Sequence, residues 1–311
     1  MTRDSSLGPG PEFDRIRAIR AALGPLAAGI GDDCAIIPDA PGTLVVSTDT
    51  SLAGVHFRLD WISLEEAGYR AAAAALSDLA AAGARVTGLL AAISAPRAAT
   101  PGELTAFMRG VGSVLESTGG VVLGGDLTGG EEWSATITVL GRAERVMRRS
   151  GARAGDGVWV TGNLGGARSA VQAWLAGTVP DAAAREAFAR PVPRISAGAW
   201  LAAQGATAIM DVSDGLAGDA GHLAAASGVR IEIELARLPV HPSVPGSDRA
   251  LFAAAGGEDF ELLVCLPPSF AESQAPGVPL TRIGTAVAGQ GVGLLRNGQA
   301  VALPSGYNHF A

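Results

Sequence analysis

The 311 residues are 48% hydrophobic and 17% charged, enough apolar mass for one large or two ordinary cored domains. A formal net charge of −7 excludes nucleic acid as a bulk partner, because a phosphate backbone needs a basic face. All 23 of the basic side chains are arginine, which excludes a Walker phosphate loop and the protein-kinase strand lysine.

Residues 1–11 are polar and rich in Gly and Pro, without the basic-then-apolar order of an export signal, and predict a flexible tail. Residues 12–23 predict a helix, and 43–47 a strand running into Ser47-Thr48-Asp49-Thr50. An alanine-rich helix is expected over 64–82, closed by Gly83. The apolar stretch 71–93 is broken by Asp78 and Arg85 and is mostly alanine, which argues against a membrane span. A strand over 86–95 and a helix over 101–118, with Pro101 in its first turn, come next. A short buried strand, 121–123, delivers Gly124-Gly125-Asp126, and 133–140 alternates as a strand does. Composition shifts to arginine, glycine and small residues over 148–156, so the domains are expected at 12–147 and 148–311. The second half offers a strand over 158–161, the turn Gly162-Asn163-Leu164-Gly165-Gly166 with a helix to about 176, and another helix after Arg194. Residues 208–210 feed Asp211, a helix starts at Leu216, 229–235 is a strand, and Gly256-Gly257-Glu258-Asp259 opens a strand over 260–266. Cys34 and Cys265 form neither a disulfide framework nor a metal spacing, which fits a reduced, cytoplasmic setting.

Aspartate recurs in five short segments flanked by glycine or serine: Gly31-Asp32-Asp33-Cys34, Ser47-Thr48-Asp49-Thr50, Ser77-Asp78, Gly124-Gly125-Asp126 and Asp211-Val212-Ser213-Asp214-Gly215. One such pair is an ordinary turn former. Five of them, placed where strands end, are expected to converge on one cavity, and unpaired carboxylates there need neutralising. Mg²⁺, with oxygen ligands that include the hydroxyls of Ser47, Thr48 and Ser213, is the natural occupant. Gly162-x-x-Gly165-Gly166 lacks the first Gly-x-Gly step of a dinucleotide fingerprint and reads as a structural turn. None of the four histidines has a partner at zinc spacing; His56 draws interest because it follows the Ser-Thr-Asp segment. Arg149, beside Arg148, is a candidate phosphate clamp.

Taken together, Gly29-Ile30-Gly31-Asp32-Asp33-Cys34-Ala35, Ser47-Thr48-Asp49-Thr50, Gly54-Val55-His56-Phe57, Leu76-Ser77-Asp78-Leu79-Ala80 and Gly124-Gly125-Asp126 resemble the thiamine-monophosphate kinase family. So do Val160-Thr161-Gly162-Asn163-Leu164-Gly165, Asp211-Val212-Ser213-Asp214-Gly215-Leu216, Gly257-Glu258-Asp259-Phe260-Glu261-Leu262-Leu263 and Gly306-Tyr307-Asn308-His309-Phe310. The resemblance spans the chain from about residue 12 onward, and its Asp-rich ATP site is shared with the wider aminoimidazole-ribonucleotide-synthetase-like superfamily. It implies a two-domain α+β fold of that type. The N-terminal sheet domain would dimerise and bind ATP and metal, and a C-terminal α/β domain would complete the ATP and thiamine-phosphate sites. By position it assigns Asp33, Ser47, Thr48, Asp49, Asp78, Asp126, Asp211 and Asp214 to several Mg²⁺ ions. Gly125, Asp126, Arg149, Ser213 and Met108 would contact ATP, and His56, Glu258 and Tyr307 the thiamine phosphate, with Asp126, Asp214 and Arg149 central to catalysis.

The chain departs from the family pattern at four places. Leu127-Thr128-Gly129 stands for Thr-Thr-Arg, Ala75 for asparagine, Met108 for a tyrosine expected near adenine, and Arg70 for a lysine. The function implied is transfer of a phosphoryl group from ATP to thiamine monophosphate, giving thiamine diphosphate and ADP. The alternatives are another ATP-dependent member of the superfamily, or a catalytically weakened nucleotide-binding dimer.

Overall fold

The computed structural model describes residues 11–27, 30, 35, 37, 39–271 and 275–303. The expected tail therefore lies outside the described residues except for Pro11, which opens the first helix. The first half forms α1 (Pro11–Leu23), β1 (Thr43–Leu52), α2 (Leu64–Ala81), β2 (Arg85–Pro96), α3 (Pro101–Thr118), β3 (Val121–Gly130) and β4 (Ser134–Ala143). The chain divides into two units, one reaching Leu79 and resuming over Arg85–Glu144, the other made of Ala80–Ala84 and the chain from Arg145 onward.

In the first unit the strand order is β1-β4-β2-β3; β2 and β3 run parallel, and the other neighbours antiparallel. The register aligns Ser47 with Val139 and Leu89, Asp49 with Ile137 and Ala91, and Ser51 with Ala135 and Ile93. Those β4 and β2 side chains are buried, so Ser47 and Asp49 lie on the core side of an edge strand. On the other face Leu44, Val46 and Leu52 are 43%, 57% and 39% exposed. Two strands run further than the sequence suggests. Ser47-Thr48-Asp49 and Gly124-Gly125-Asp126 sit inside paired strands rather than at strand ends. Ladder pairing to a buried neighbour outweighs the weak strand preference of Asp and Gly.

Helix α3 begins with a capping box, in which Thr100 and Glu103 satisfy each other's backbone N–H, and ends at Gly119 in the left-handed region. It crosses α2 at two glycines. A Cβ at Gly110 would lie 1.8 Å from the Glu65 carbonyl oxygen, and one at Gly68 would lie 1.9 Å from that of Phe107. This backbone-to-backbone approach, with Ala67, Ala71, Ala72 and Ala75 fully enclosed, explains the alanine richness of α2. Among the described residues no helix is long and apolar enough to cross a membrane.

The second unit comprises β5 (Gly157–Thr161), α4 (Gly166–Leu175), α5 (Ala182–Ala189), α6 (Ile195–Ala203), β6 (Ala208–Val212), α7 (Leu216–Ser227), β7 (Arg230–Glu234), α8 (Arg249–Ala254), β8 (Glu261–Leu266), β9 (Leu280–Val287), β10 (Gly291–Arg296) and β11 (Gln299–Val301). They build a seven-stranded sheet of order β11-β10-β7-β9-β5-β8-β6, in which only β10 and β7 pair in parallel. Helix α7 lays Leu216, Ala220, Leu223 and Ala224 on a core that includes Val158, Val160, Met210, Val212 and Leu263. The architecture is the expected α+β arrangement of two sheet-bearing halves. Helices α5 and α8 and strands β9–β11 were not anticipated.

Candidate functional site

The first acidic group is built on the edge strand β1 and the middle of α2. Ser47 Oγ donates to Asp78 Oδ2 at 2.5 Å. The Asp49 carboxyl is pushed up to about 6, first by burial and then by the negative charge of Asp78. Two carboxylates and a hydroxyl there are hard oxygen donors of the kind a divalent cation takes. The pleat turns Thr48 to the open face, where its Oγ1 lies 3.0 Å from that of Thr138. His56 closes the turn after β1: its Nδ1 accepts from Leu52 N at 3.1 Å, and its carbonyl accepts from Arg70 Nε at 3.3 Å. Arg70 is buried within α2.

The second group lies on the opposite edge of the same sheet. Gly125 belongs to the cross-strand row of Asp49, Ile137 and Ala91, which places it about 14 Å from Asp49 across three strand spacings. The structure therefore does not bring Asp126 to the Ser47–Asp78 group within the unit. A Cβ at Gly125 would lie 2.0 Å from the Ala91 carbonyl oxygen, so only glycine lets β3 sit this close to β2. Gly125, Asp126 and Met108 meet around a cavity of about 90 Å³, walled by Ile16, Ile19 and Ile93. Phe107 instead turns into the core and stacks on Trp133, with ring centroids 6.0 Å apart.

The third group follows β6. Asp211 is buried at the end of that strand, opposite Leu262 of β8. The chain then turns through Ser213, Asp214 and Gly215 into α7. This turn is held from both sides. Asp219, in the first turn of α7, accepts on Oδ2 the N–H of Ser213 (3.0 Å), Asp214 (3.2 Å) and Gly215 (3.1 Å). On the other side Glu258 N donates to Ser213 O at 2.7 Å and Phe260 N to Val212 O at 2.9 Å. A Cβ at Gly257 would lie 2.6 Å from Ser213 O, which explains that glycine. Glu258 and Phe260 both have positive φ, 68° and 50°, strain that tight packing sustains. Asp219 is buried, and its carboxyl is pushed up to about 7, chiefly by burial and then by Asp211 and Asp214. The geometry thus ties Asp211, Ser213, Asp214 and Glu258 into one rigid assembly.

Further carboxylates support it. Both oxygens of the half-buried Asp259 accept from Gly165 N, at 3.0 and 2.9 Å, and desolvation pushes this carboxyl well above the usual range. Glu261 takes Arg194 through Nε at 2.8 Å and Nη2 at 2.5 Å, and Thr161 Oγ1 at 2.6 Å. A Cβ at Gly162 would lie 1.8 Å from Glu261 Oε1. The glycine turn 162–166 is accordingly occupied by structural contacts.

Arg149 is exposed, and its carbonyl accepts from Ser227 Oγ at 3.0 Å. Asp33 and Tyr307 lie outside the described residues, as does Cys34; Cys265 is buried and its thiol is pushed up to about 12 by burial. Among the described residues no three His, Cys, Asp or Glu side chains form a cage for a metal. Asp219 has no place in the sequence motifs, and Asp259 and Glu261 stand in the Gly257–Leu263 motif without an assigned role. The only signal available for the first was a carboxylate four residues beyond Gly215, at capping distance from the Ser-Asp-Gly turn.

Residues 31–143 match the AIR synthase related protein N-terminal domain, and residues 153–296 the corresponding C-terminal domain. The thiamine-monophosphate kinase of Mycobacterium tuberculosis (strain CDC 1551 / Oshkosh) is 34% identical over 268 residues, covering 83% of this chain and 80% of the relative. The crystal structure of thiamine-monophosphate kinase from Stenotrophomonas maltophilia K279a superposes with a TM-score of 0.82 at 34% identity, covering 95% of this chain and 98% of the other. The structure of AaThiL complexed with AMPPCP and TMP gives a TM-score of 0.79 at 32% identity, over 96% and 97%.

Proposed function

We infer the chemistry from one premise: the chain belongs to the thiamine-monophosphate kinase family, within the AIR synthase related proteins. Its activity is the ATP-dependent phosphorylation of thiamine monophosphate. The observation that carries this reading is the ligand pair in AaThiL, an ATP analogue together with TMP, held by a chain of the same fold over almost the whole length.

The acceptor is a terminal phosphate oxygen of thiamine monophosphate, anionic at neutral pH because its second pKa is about 6. A bond forms from that oxygen to the γ-phosphorus of ATP while the bond from phosphorus to the β–γ bridging oxygen breaks, and ADP leaves with the electron pair. No general base and no covalent phosphoenzyme is required, so the work left to the protein is alignment and cancellation of charge. Ser47, Asp49 and Asp78 in the first unit and Asp211 and Asp214 in the second have the donor chemistry to hold Mg²⁺, alongside Asp126 and Asp33, whereas the Thr48 hydroxyl, on the open face of β1, is not placed to join Ser47 and Asp49. Bound Mg²⁺ supplies the positive charge that the phosphate oxygens need. Arg149 donates to a phosphate, Gly125 and Ser213 contact the nucleotide, and Met108 packs against the base from the small cavity. Glu258 accepts from the aminopyrimidine edge or faces the cationic thiazolium, with His56 and Tyr307 completing that side. Homodimerisation through the open face of β1, where Val46 and Leu44 stand exposed, is part of the same proposal.

Replacing Asp126 or Asp214 by Asn tests the ligand roles. Turnover should fall by about two orders of magnitude or more while the melting temperature holds, since Asp214→Asn relieves repulsion from the neighbouring Asp219 and Asp126 is exposed. Near-normal kcat in both variants would reject the assignment.

A further inference from the structure

We propose that Arg15 and Arg97 form a binding site for a phosphate oxyanion, either a diphosphate or the terminal phosphoryl group of a larger ligand. A cavity of about 420 Å³ opens in the first unit among α1, the end of β2, the start of α3 and the end of β3. That volume falls within the roughly 300–1,000 Å³ range of small-molecule sites. Its described ionisable lining is two guanidinium groups, Arg15 and Arg97, and Thr128 adds a hydroxyl. In a chain without lysine, recognition of phosphate oxygens by side-chain cations falls to such planar forks.

Three placements support the assignment. Arg15 Nη2 donates to Ala99 O at 3.4 Å, which anchors one guanidinium at the cavity wall. Arg97 lies against β3 at Gly129, where a Cβ would come within 3.5 Å of its Cγ and 3.8 Å of its Nη1. Several other arginines, Arg58, Arg194 and Arg296 among them, sit on carboxylates, whereas Arg97 makes no hydrogen bond or ion pair with a described residue. Finally, Leu127 lines both this cavity and the smaller one at Gly125 and Asp126. Gly129 is three residues along β3 from Asp126, about 10 Å at strand rise, a span that a phosphorylated ligand held at Asp126 bridges. The anion chemistry follows from the lining; naming the ligand as a substrate of phosphoryl transfer rests on the kinase reading above.

The test uses the whole protein and inorganic diphosphate as the probe, titrated calorimetrically in EDTA, with steady-state KM values measured separately for ATP and thiamine monophosphate. Arg97→Ala and Arg15→Ala should each weaken diphosphate by about tenfold or more, the loss expected for one charge-assisted hydrogen-bonding group. Arg97→Lys should recover part of it, because the charge remains and the fork is lost. A rise in the KM of ATP alone identifies the nucleotide phosphates as the natural occupant, and a rise in that of thiamine monophosphate alone identifies the acceptor. Lost diphosphate binding with both KM values unchanged assigns the site to a free anion. Wild-type protein that does not bind diphosphate, or affinity unchanged in both alanine variants with their melting temperatures intact, overturns the proposal. Because binding is read without turnover, a chain inactive toward thiamine monophosphate that still loses diphosphate on Arg97→Ala rejects the activity and keeps the site.

Discussion

At Asp219 a single carboxylate oxygen accepts three successive backbone N–H groups, and so fixes the turn that carries Ser213 and Asp214. Asp219→Ala leaves those donors without that acceptor in a buried place, a loss of about 1–3 kcal/mol. It should also raise the Mg²⁺ concentration needed for half-maximal turnover. Asp219→Asn keeps an acceptor oxygen and removes a charge crowded by Asp211 and Asp214, so its melting temperature should equal or exceed that of the wild type. Thermal melts and Mg²⁺ titrations of both variants decide this. An Asp219→Ala protein indistinguishable from wild type would mean the turn holds itself. Glu258 is strained, because its φ of 68° costs a non-glycine residue about 1–2 kcal/mol. Glu258→Gly should therefore stabilise the fold yet raise KM for thiamine monophosphate much more than KM for ATP, and Glu258→Ala should shift the KM values in the same way. Equal effects on both substrates would remove Glu258 from the thiamine side.

Elements explain both what the sequence reveals and what it conceals. Helix α3 is legible to the residue because Thr-Pro-Gly-Glu caps its start and Gly119 ends it. Strands β1 and β3 are legible only in their apolar first halves. Their second halves, Ser-Thr-Asp and Gly-Gly-Asp, have turn composition and become strand through pairing with β4 and β2, which a local reading cannot see. The same blindness hides Asp219 and the supporting roles of Asp259 and Glu261, since charged residues read as solvated until a fold sets them against amides or an arginine. The consequence for the aspartates is a separation of Asp49 from Asp126 across the sheet, where sequence position alone suggested a single cluster. The open face of β1 yields its own prediction. Val46→Glu, at a position 57% exposed, should convert a dimer to a monomer in light scattering without altering the fold. A wild-type protein that is already monomeric at micromolar concentration would refute pairing through this face.

At the scale of the whole molecule the dominant fact is acidity without lysine: a net charge of −7 in a protein whose substrates are themselves polyanions. Each unit carries an acidic group of its own, Ser47–Asp49–Asp78 in one and Asp211–Asp214 in the other, and burial already raises Asp49 and Asp219 toward neutrality. Such groups repel a triphosphate unless divalent cations intervene. Phosphoryl transfer should accordingly depend absolutely on Mg²⁺, and the protein should bind ATP more weakly in its absence. The most direct measurement is product formation from ATP and thiamine monophosphate, with thiamine diphosphate and ADP quantified by chromatography in Mg²⁺ and in EDTA. Equimolar thiamine diphosphate and ADP in Mg²⁺, with neither formed in EDTA, is the predicted result. ADP without thiamine diphosphate, or product formation undiminished by EDTA, would contradict it.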